Sequence, residues 1–394
     1  MRTILCVATY LKGEAFIREC HDRGWTVLLL TAEKLAGAAW PRDAVEEVVT
    51  VARDPSDEEF RIAAARIARR RRIDRVVALD DFDVEAGAML REFLQLPGFG
   101  RTVAARFRDK LTMRTTARRL GIRVPEFSPL FNDSEIDEWA ARVQPPWVVK
   151  PRSSAAATGI RKVANLDELW RAIEALGDRR ADCLVEQFVT GDVYHVDSIV
   201  SNGAVVFAVA SKYGRPPMQI AHDGGVFTTR LLPDASPEAS QVLDFNERLL
   251  TGFELDRGVS HSEYIGSPDG VTFLETSARV GGAYIADVVE AATGVNLWRE
   301  WARLDTTDED RAYVPPTRRG EYGGIALSLA RQEEPDTSSY TDPEIVTRIR
   351  KHHHAGLIVR SRDPHRIEAL LSEYAERFSR DFLATMPAPE RPGE

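Results

Sequence analysis

Over the first hundred residues, short apolar runs alternate with amphipathic stretches. The apolar runs are Thr3–Ala8, Thr26–Thr31, Val48–Val51 and Val76–Leu79, each too short for a helix and rich in Val, Ile, Leu and Thr. Between them, Glu14–Arg23, Ser56–Arg70 and Val84–Leu94 carry apolar side chains three and four residues apart, the spacing of a one-sided helix. Strand and helix alternating at this interval predict parallel strands joined by right-handed crossovers, an α/β domain over residues 1–100. A Gly-x-Gly-x-x-Gly turn is missing after the first strand, so dinucleotide binding is not expected there.

The pattern is helical from Thr102 to Leu120 and stops at Gly121. From Trp147 onward short β-branched runs take over: Trp147–Lys150, Cys183–Gln187, Tyr194–Val200, Ala204–Ala210, Val259–Tyr264 and Val271–Glu275. Helical spacing returns only at Leu166–Leu176 and Pro237–Leu250. Residues 101–310 therefore read as an α+β region with antiparallel sheets, with 145–210 as its central lobe. Residues 311–394 repeat a strand–helix theme from Tyr322, complete the same region, and close on a Pro-rich stretch, Met386–Glu394, expected to fray.

Composition narrows the class. The 394 residues exceed what one hydrophobic core serves, and 43% hydrophobic with 29% charged residues is ordinary globular composition. A net charge of −9 argues against a general attraction to nucleic acid or anionic membrane, so any anion site must be built locally. The basic run Arg69–Arg72 lacks interleaved aromatics and reads as a solvated helix end. Cys6, Cys20 and Cys183 make no Cys-x-x-Cys pair and read as small buried hydrophobes. With no membrane-length apolar run and a strand directly at the N-terminus, a cytoplasmic protein is expected.

Three features carry chemistry. Glu263 and Glu275 stand twelve positions apart around Gly266-Ser267-Pro268-Asp269-Gly270, a strong turn signal. Two strands joined there bring both carboxylates to one end of a sheet, where like charges need a cation and hard oxygens suit Mg²⁺. The two-residue strand period adds Ser277 and Arg279 to the same face, and Gly281-Gly282 then allow close backbone approach to a ligand. The second feature is a pair of lysines, Lys110 at a helix start and Lys150 finishing an apolar strand, both suited to phosphate oxygens. The third is the small-residue loop Ser153 to Gly159, with Ser154 and Thr158 as hydroxyl donors beside close-approaching backbone N–H groups. Downstream, Gln187 and Phe188 are placed to hold adenine, with an acidic residue reaching the ribose. His195 and Asp197 share one strand face, where His195 serves either a ligand or an internal hydrogen bond. The Gly/Pro-rich stretch Tyr213–Thr229, with Lys212, His222 and Arg230 in or beside it, reads as a substrate loop in which Arg230 binds a carboxylate. Lys351-His352-His353-His354 reads as a polar loop, since adjacent histidines on a strand face opposite ways.

In this order the residues resemble the ATP-grasp superfamily, which includes biotin carboxylase and D-alanine–D-alanine ligase, over about Arg108–Leu297. The strongest match is Phe-Leu-Glu-Thr-Ser-Ala-Arg-Val-Gly-Gly, similar to the family's Glu-x-Asn-x-Arg strand. The resemblance implies an ATP-grasp fold with a Rossmann-like preATP-grasp domain. It implies Mg²⁺ (or Mn²⁺) on Glu263, Glu275 and Ser277, and Lys110 and Lys150 on phosphates. It also implies Glu186, Gln187 and Phe188 at an adenine hinge, Asp192 near the ribose, His195 beside the nucleotide, and Arg279 on the transferring phosphoryl group. The expected reaction joins a small-molecule carboxylate to an amine through an acyl phosphate, releasing ADP, in a protein that the resemblance makes a homodimer. This sequence departs from the family at Ser277, where Asn is usual, in a loop poorer in glycine, and at Asp192, displaced by one residue. A carboxylase, a small-molecule kinase and a non-catalytic ATP-binding module are the alternatives.

Overall fold

The computed structural model describes residues 2–154, 159–308, 311 and 313–384, apart from the side chain of His222. The Pro-rich end expected to fray lies outside this set. Three sheets form, and they fall in chain order.

The first sheet contains β1 (Thr3–Val7), β2 (Thr26–Ala32), β3 (Glu47–Val51) and β4 (Arg75–Ala78), all parallel in the order β3-β2-β1-β4. The alternation of its strands explains why both faces are covered. Leu5, Val7, Leu28 and Leu30 pack under the helices Asp57–Ala68 and Val84–Leu94. Ile4, Cys6, Val27 and Leu29 face the helix Glu14–Asp22. That helix in turn meets Leu297–Thr306, with the Phe16 and Trp301 rings 5.1 Å apart. Ser56 caps its helix in a reciprocal capping box with Glu59, as a Ser-x-x-Glu start allows.

The helical connector divides into Arg101–Arg106 and Lys110–Arg119, because Asp109 accepts hydrogen bonds from Leu111 N and Thr112 N and starts a new helix. The second sheet follows, with β5 (Phe127–Pro129), β6 (Trp147–Pro151), β7 (Arg161–Val163) and β8 (Cys183–Gln187) antiparallel in the order β5-β8-β6-β7. Trp147, Val149, Val163, Cys183 and Val185 point to the helices Asp133–Arg142 and Leu166–Leu176. Lys150 and Glu186, one residue out of phase with these, are thereby turned to the opposite face.

The third sheet has eight antiparallel strands: β9 (Asp192–Ser201), β10 (Ala204–Tyr213), β11 (Phe227–Leu231), β12 (Gly258–Ser267), β13 (Gly270–Ser277), β14 (Tyr322–Leu329), β15 (Ile345–Lys351) and β16 (His354–Ser361). Their order is β13-β12-β9-β10-β11-β14-β16-β15, so strands from residues 322–361 continue the sheet begun at residue 192. The stretch read as one substrate loop, Tyr213–Thr229, instead contains the helix Pro217–Asp223 and most of β11. His352 and His353 turn the β15–β16 hairpin, with His353 at φ 55°. No helix among the described residues is long and apolar enough to cross a membrane.

Candidate functional site

The edge strand β13 of the large sheet faces the inner side of the smaller antiparallel sheet, and the sequence-predicted cations meet a carboxylate there. Lys110, in the first turn of its helix, places Nζ 3.1 Å from Glu275 Oε2 and 2.6 Å from the Ser154 carbonyl. Its backbone N donates to Arg152 O at 2.9 Å, fastening the helix start to the strand end that carries Lys150. Lys150 Nζ lies 2.6 Å from Glu186 Oε2, and Arg114 Nε lies 2.6 Å from Glu186 Oε1. Lys110, Lys150, Arg114 and Glu186 are all buried. Three cations therefore share two carboxylates in a confined space.

Electrostatics follows from that count. Burial pushes the Lys150 ammonium down to about 8, with Arg114 and Lys110 adding repulsion and Glu186 opposing. Burial acts to raise Glu275, whose side chain keeps 37% exposure, but Lys110 and Lys150 outweigh it and bring the carboxyl to about 2. Glu186 is held below the ordinary range in the same way: burial opposes, and Arg114 and Lys150 prevail. Two carboxylates thus stay ionised while an excess of positive charge faces the cleft.

Glu263 and Glu275 are direct cross-strand partners. Opposed residues in such a ladder hold their Cβ atoms roughly 5 Å apart, on one face. A bulge makes the arrangement: Glu263 pairs with Glu275 while Tyr264 pairs with Phe273, leaving Leu274 extra. Phe273 can therefore enter the core with Phe253 while Glu275 faces the cleft. Behind Glu263 lies a buried polar network. Tyr213 donates its hydroxyl to Glu263 Oε1 at 2.7 Å, and His261 Nε2 lies 3.6 Å from the same oxygen. Asp197 binds His195 Nδ1 at 2.8 Å through one oxygen and His261 Nδ1 at 2.9 Å through the other. Burial would lower His261, but Asp197 and then Glu263 raise it to about 9, and the same histidines hold Asp197 well below the carboxylate range.

Several predicted residues are placed elsewhere. The ring nitrogens of His195 are engaged within the protein, Nδ1 by Asp197 and Nε2 by Thr229 Oγ1 at 2.8 Å, so of its two readings the structure shows the internal hydrogen bond. Arg230 is paired in register with Lys212, on the sheet face opposite Thr229, and its guanidinium meets Glu368 at 2.7 Å. The alternation of β11 carries it away from the carboxylates. Asp192 pairs with Lys212 at 2.6 Å on that same far face. Glu186, assigned to the adenine hinge, turns its carboxylate to Lys150 and Arg114 instead. The N–H groups of Gln187 and Phe188 donate to Glu126 O and Pro146 O and are thereby engaged within the protein. The aromatic ring of Phe188 stacks under Lys162 at 3.9 Å. Gly281 serves a contact within the protein, since a Cβ there would lie 2.8 Å from Asp197 Oδ1 and 2.9 Å from His261 Nδ1. Gly282 has open space around it. Arg279 donates to Val280 O at 2.9 Å, while its Nε is buried without a partner among the described residues. Ser277 sits opposite His261, half-buried.

Of the small-residue loop, Ser153 and Ser154 offer carbonyls to Arg108 and Lys110. Gly159 returns at φ 74°, where a Cβ would meet Pro151 at 2.9 Å. Thr158 and residues 155–157 lie outside the described residues. Arg114, His261, Tyr213 and Arg108 are participants the sequence reading did not single out. Two carried a signal: Arg114 stands four residues after Lys110, on the same helix face, and His261 two residues before Glu263 on the same strand face.

Cations gathered between two antiparallel sheets, opposite paired carboxylates and beside a parallel α/β domain, define the ATP-grasp class of protein. Residues 107–252 of this chain match the ATP-grasp domain model. It is 23% identical over 262 residues to an L-arginine-specific L-amino acid ligase from Bacillus subtilis, an alignment covering 64% of this chain and 62% of that protein. The chain therefore spans a little under two thirds of that relative. A D-alanine–D-alanine ligase from an Anaeromyxobacter strain is 27% identical over 216 residues, 53% of this chain and 69% of the relative. Among solved structures, an L-amino acid ligase from Bacillus licheniformis superposes with a TM-score of 0.77 at 16% identity, covering 97% of this chain and 98% of that one. An N5-carboxyaminoimidazole synthetase from Staphylococcus aureus gives 0.71 at 13% identity, covering 95% and 97%. These two likenesses establish the fold.

Proposed function

We propose that the chain is an ADP-forming carboxylate–amine ligase that uses ATP to make an amide or peptide bond between small molecules. The observation that carries this reading is the meeting of Lys110, Lys150 and Arg114 with Glu275 beside Glu263. Positive charge for a polyphosphate thus stands next to an acidic pair suited to a hard cation. The donor set fits Mg²⁺, with Mn²⁺ as substitute: Glu263 and Glu275 supply ionisable oxygens from opposed strand positions, and Ser277 adds a weaker one. Bound there, the ion would neutralise phosphate charge.

In this reading Lys150 and Lys110 bind the ATP phosphates and keep the γ-phosphoryl group in line with a substrate carboxylate. A carboxylate oxygen attacks the γ-phosphorus, an O–P bond forms, and the β–γ bridging oxygen leaves with its electron pair as ADP. Arg279, with its unpartnered Nε, stabilises the transferring group; such catalysis is chiefly positioning and electrostatics. The amine then attacks the acyl carbon, phosphate leaves, and the nitrogen releases a proton. Arg108 and Lys110 hold the carbonyls of Ser153 and Ser154 beside the phosphate contacts. Gln187 and Phe188 flank the adenine, and Gly282 leaves room for substrate. Two relatives are by name ligases of amino acids, which favours an amine acceptor over a hydroxyl or bicarbonate. The three unpaired, buried cysteines suit the reducing cytoplasm, where ATP is available.

The test is an ADP-release screen over paired amino acids and small carboxylates, with Glu275→Ala as control. ADP formation that needs both partners and is lost at least ~100-fold in the variant is expected. Dependence on bicarbonate would point to the carboxylase instead, and nucleotide binding without ADP from any pair would leave an ATP-binding module.

A further inference from the structure

A cavity of about 60 Å³ lies where the parallel sheet meets the large antiparallel sheet, and none of the residues placed in the nucleotide site lines it. Its walls come from β4, the start of β12, the turn at Pro97–Phe99 and the helix Leu297–Thr306. Three guanidinium groups (Arg75, Arg91 and Arg257) line it against one carboxylate, Asp305. Even with Asp305 ionised, Arg91 and Arg257 together leave one positive charge unbalanced.

The arginines are fixed in place by backbone. Arg91 is 6% exposed; its Nη1 donates to Val76 O at 3.0 Å, its Nε to Phe99 O at 2.9 Å, and the group stacks on the Phe99 ring at 4.4 Å. Arg257 Nη2 donates to the carbonyls of Leu304 and Thr307. What these anchors leave is specific: Arg91 Nη2 and Arg257 Nε and Nη1 are buried with no hydrogen-bond partner among the described residues. Buried N–H donors are ordinarily paired, and more so when charged. Donors already oriented, an excess of positive charge and a space of two or so water volumes match a small ion with oxygen acceptors, not a nucleotide. Pro97 and Gly98 are exposed, so the cavity has a way in from solvent.

We propose that this cavity binds a small oxyanion, inorganic phosphate or a short carboxylate, through Arg91 Nη2 and Arg257 Nε and Nη1. The bound ion ties the edge of the parallel domain to the helix Leu297–Thr306 and stabilises the seam between the two sheets. Burial pushes the Asp305 carboxyl up to about 6 in spite of the surrounding arginines, so it competes only partly with an incoming anion.

Thermal unfolding tests this with phosphate, acetate and chloride at equal ionic strength. Phosphate or acetate is expected to raise the midpoint of the wild-type protein by about 2 °C or more over chloride. Arg257→Gln should lose that rise, and Lys150→Ala, altered only in the nucleotide site, should keep it. Whichever anion acts identifies the ligand. Equal shifts in wild type and Arg257→Gln, or no shift over chloride, would mean that the cavity holds only water. Should Arg257→Gln fail to fold, equilibrium dialysis of wild-type protein with labelled phosphate and acetate, its nucleotide site filled by a non-hydrolysable ATP analogue and Mg²⁺, counts the site directly. One bound ion per chain upholds the proposal, and none overturns it. Neither readout depends on ligase turnover.

Discussion

Lys150 illustrates how position sets chemistry for a single side chain. It ends an apolar strand, so its ammonium is carried into the protein with the strand and must be stabilised there by Glu186. With Arg114 and Lys110 close by, its proton is held loosely, near pH 8. Only the charged form attracts phosphate, so above that value nucleotide binding must first take up a proton. The dissociation constant for Mg-ATP should therefore rise up to about tenfold per pH unit above pH 8. Lys150→Met should bind more weakly at neutral pH and lose that dependence; calorimetric titration at several pH values checks both. Arg114 shows the complementary case, a residue marked in the sequence only by its place four positions after Lys110, which joins the site by sharing Glu186 with Lys150. His195 is the reverse: a conspicuous histidine in the sequence, enclosed by Asp197 and Thr229 in the fold.

Among the elements, the β12–β13 hairpin does the most to build the site. Its turn was readable from Gly-Ser-Pro-Asp-Gly, and the turn with the strand period was enough to place Glu263 and Glu275 near each other. The bulge at Leu274 was not readable, because nothing in a string of Phe-Leu-Glu says which residue goes unpaired; the choice is made by Phe273 entering a core formed by distant helices. The segment after the hairpin depends on tertiary packing just as closely. Gly281 lies against Asp197 and His261, so Gly281→Ala should displace that pair and destabilise the protein by about 1–3 kcal/mol. Gly282→Ala, with nothing nearby and no positive φ, should stay within about 0.5 kcal/mol of wild type. Urea unfolding of the two variants side by side checks the contrast.

For the whole molecule, the large sheet is built from both ends of the region it serves. β11 pairs with β10 along one edge and with β14 along the other, and the helix Pro364–Asp381 covers a core containing Tyr340, Tyr374 and Phe378. A chain ending at residue 310 would expose the β11 edge and lose that core, and exposed edge strands pair with other chains. Such a fragment should elute as aggregate in size-exclusion chromatography and show no cooperative urea transition. Residues 311–384 are on this view part of the sheet that carries Glu263 and Glu275.

Local order was legible wherever a rule of short range applied. Strand–helix alternation specified the parallel domain, helical spacing and a β-branched run located Val84–Leu94, Leu166–Leu176 and Cys183–Gln187 to the residue, and the two-residue period grouped Glu263, Glu275 and Ser277. Short edge pieces such as Phe127–Pro129 and Arg161–Val163 escaped, because three residues carry too little pattern to be distinguished from loop. Which face of a strand meets the cleft, and which meets a helix, is decided by packing between segments far apart in sequence. That is why Arg230 and Asp192, plausible as ligand contacts by composition, stand on the far side of the sheet. The sequence by itself determined the elements, the charge inventory and the chemistry those residues can perform. Only the tertiary structure decided which of them meet, since charges become a site when burial brings them together and lowers the dielectric between them.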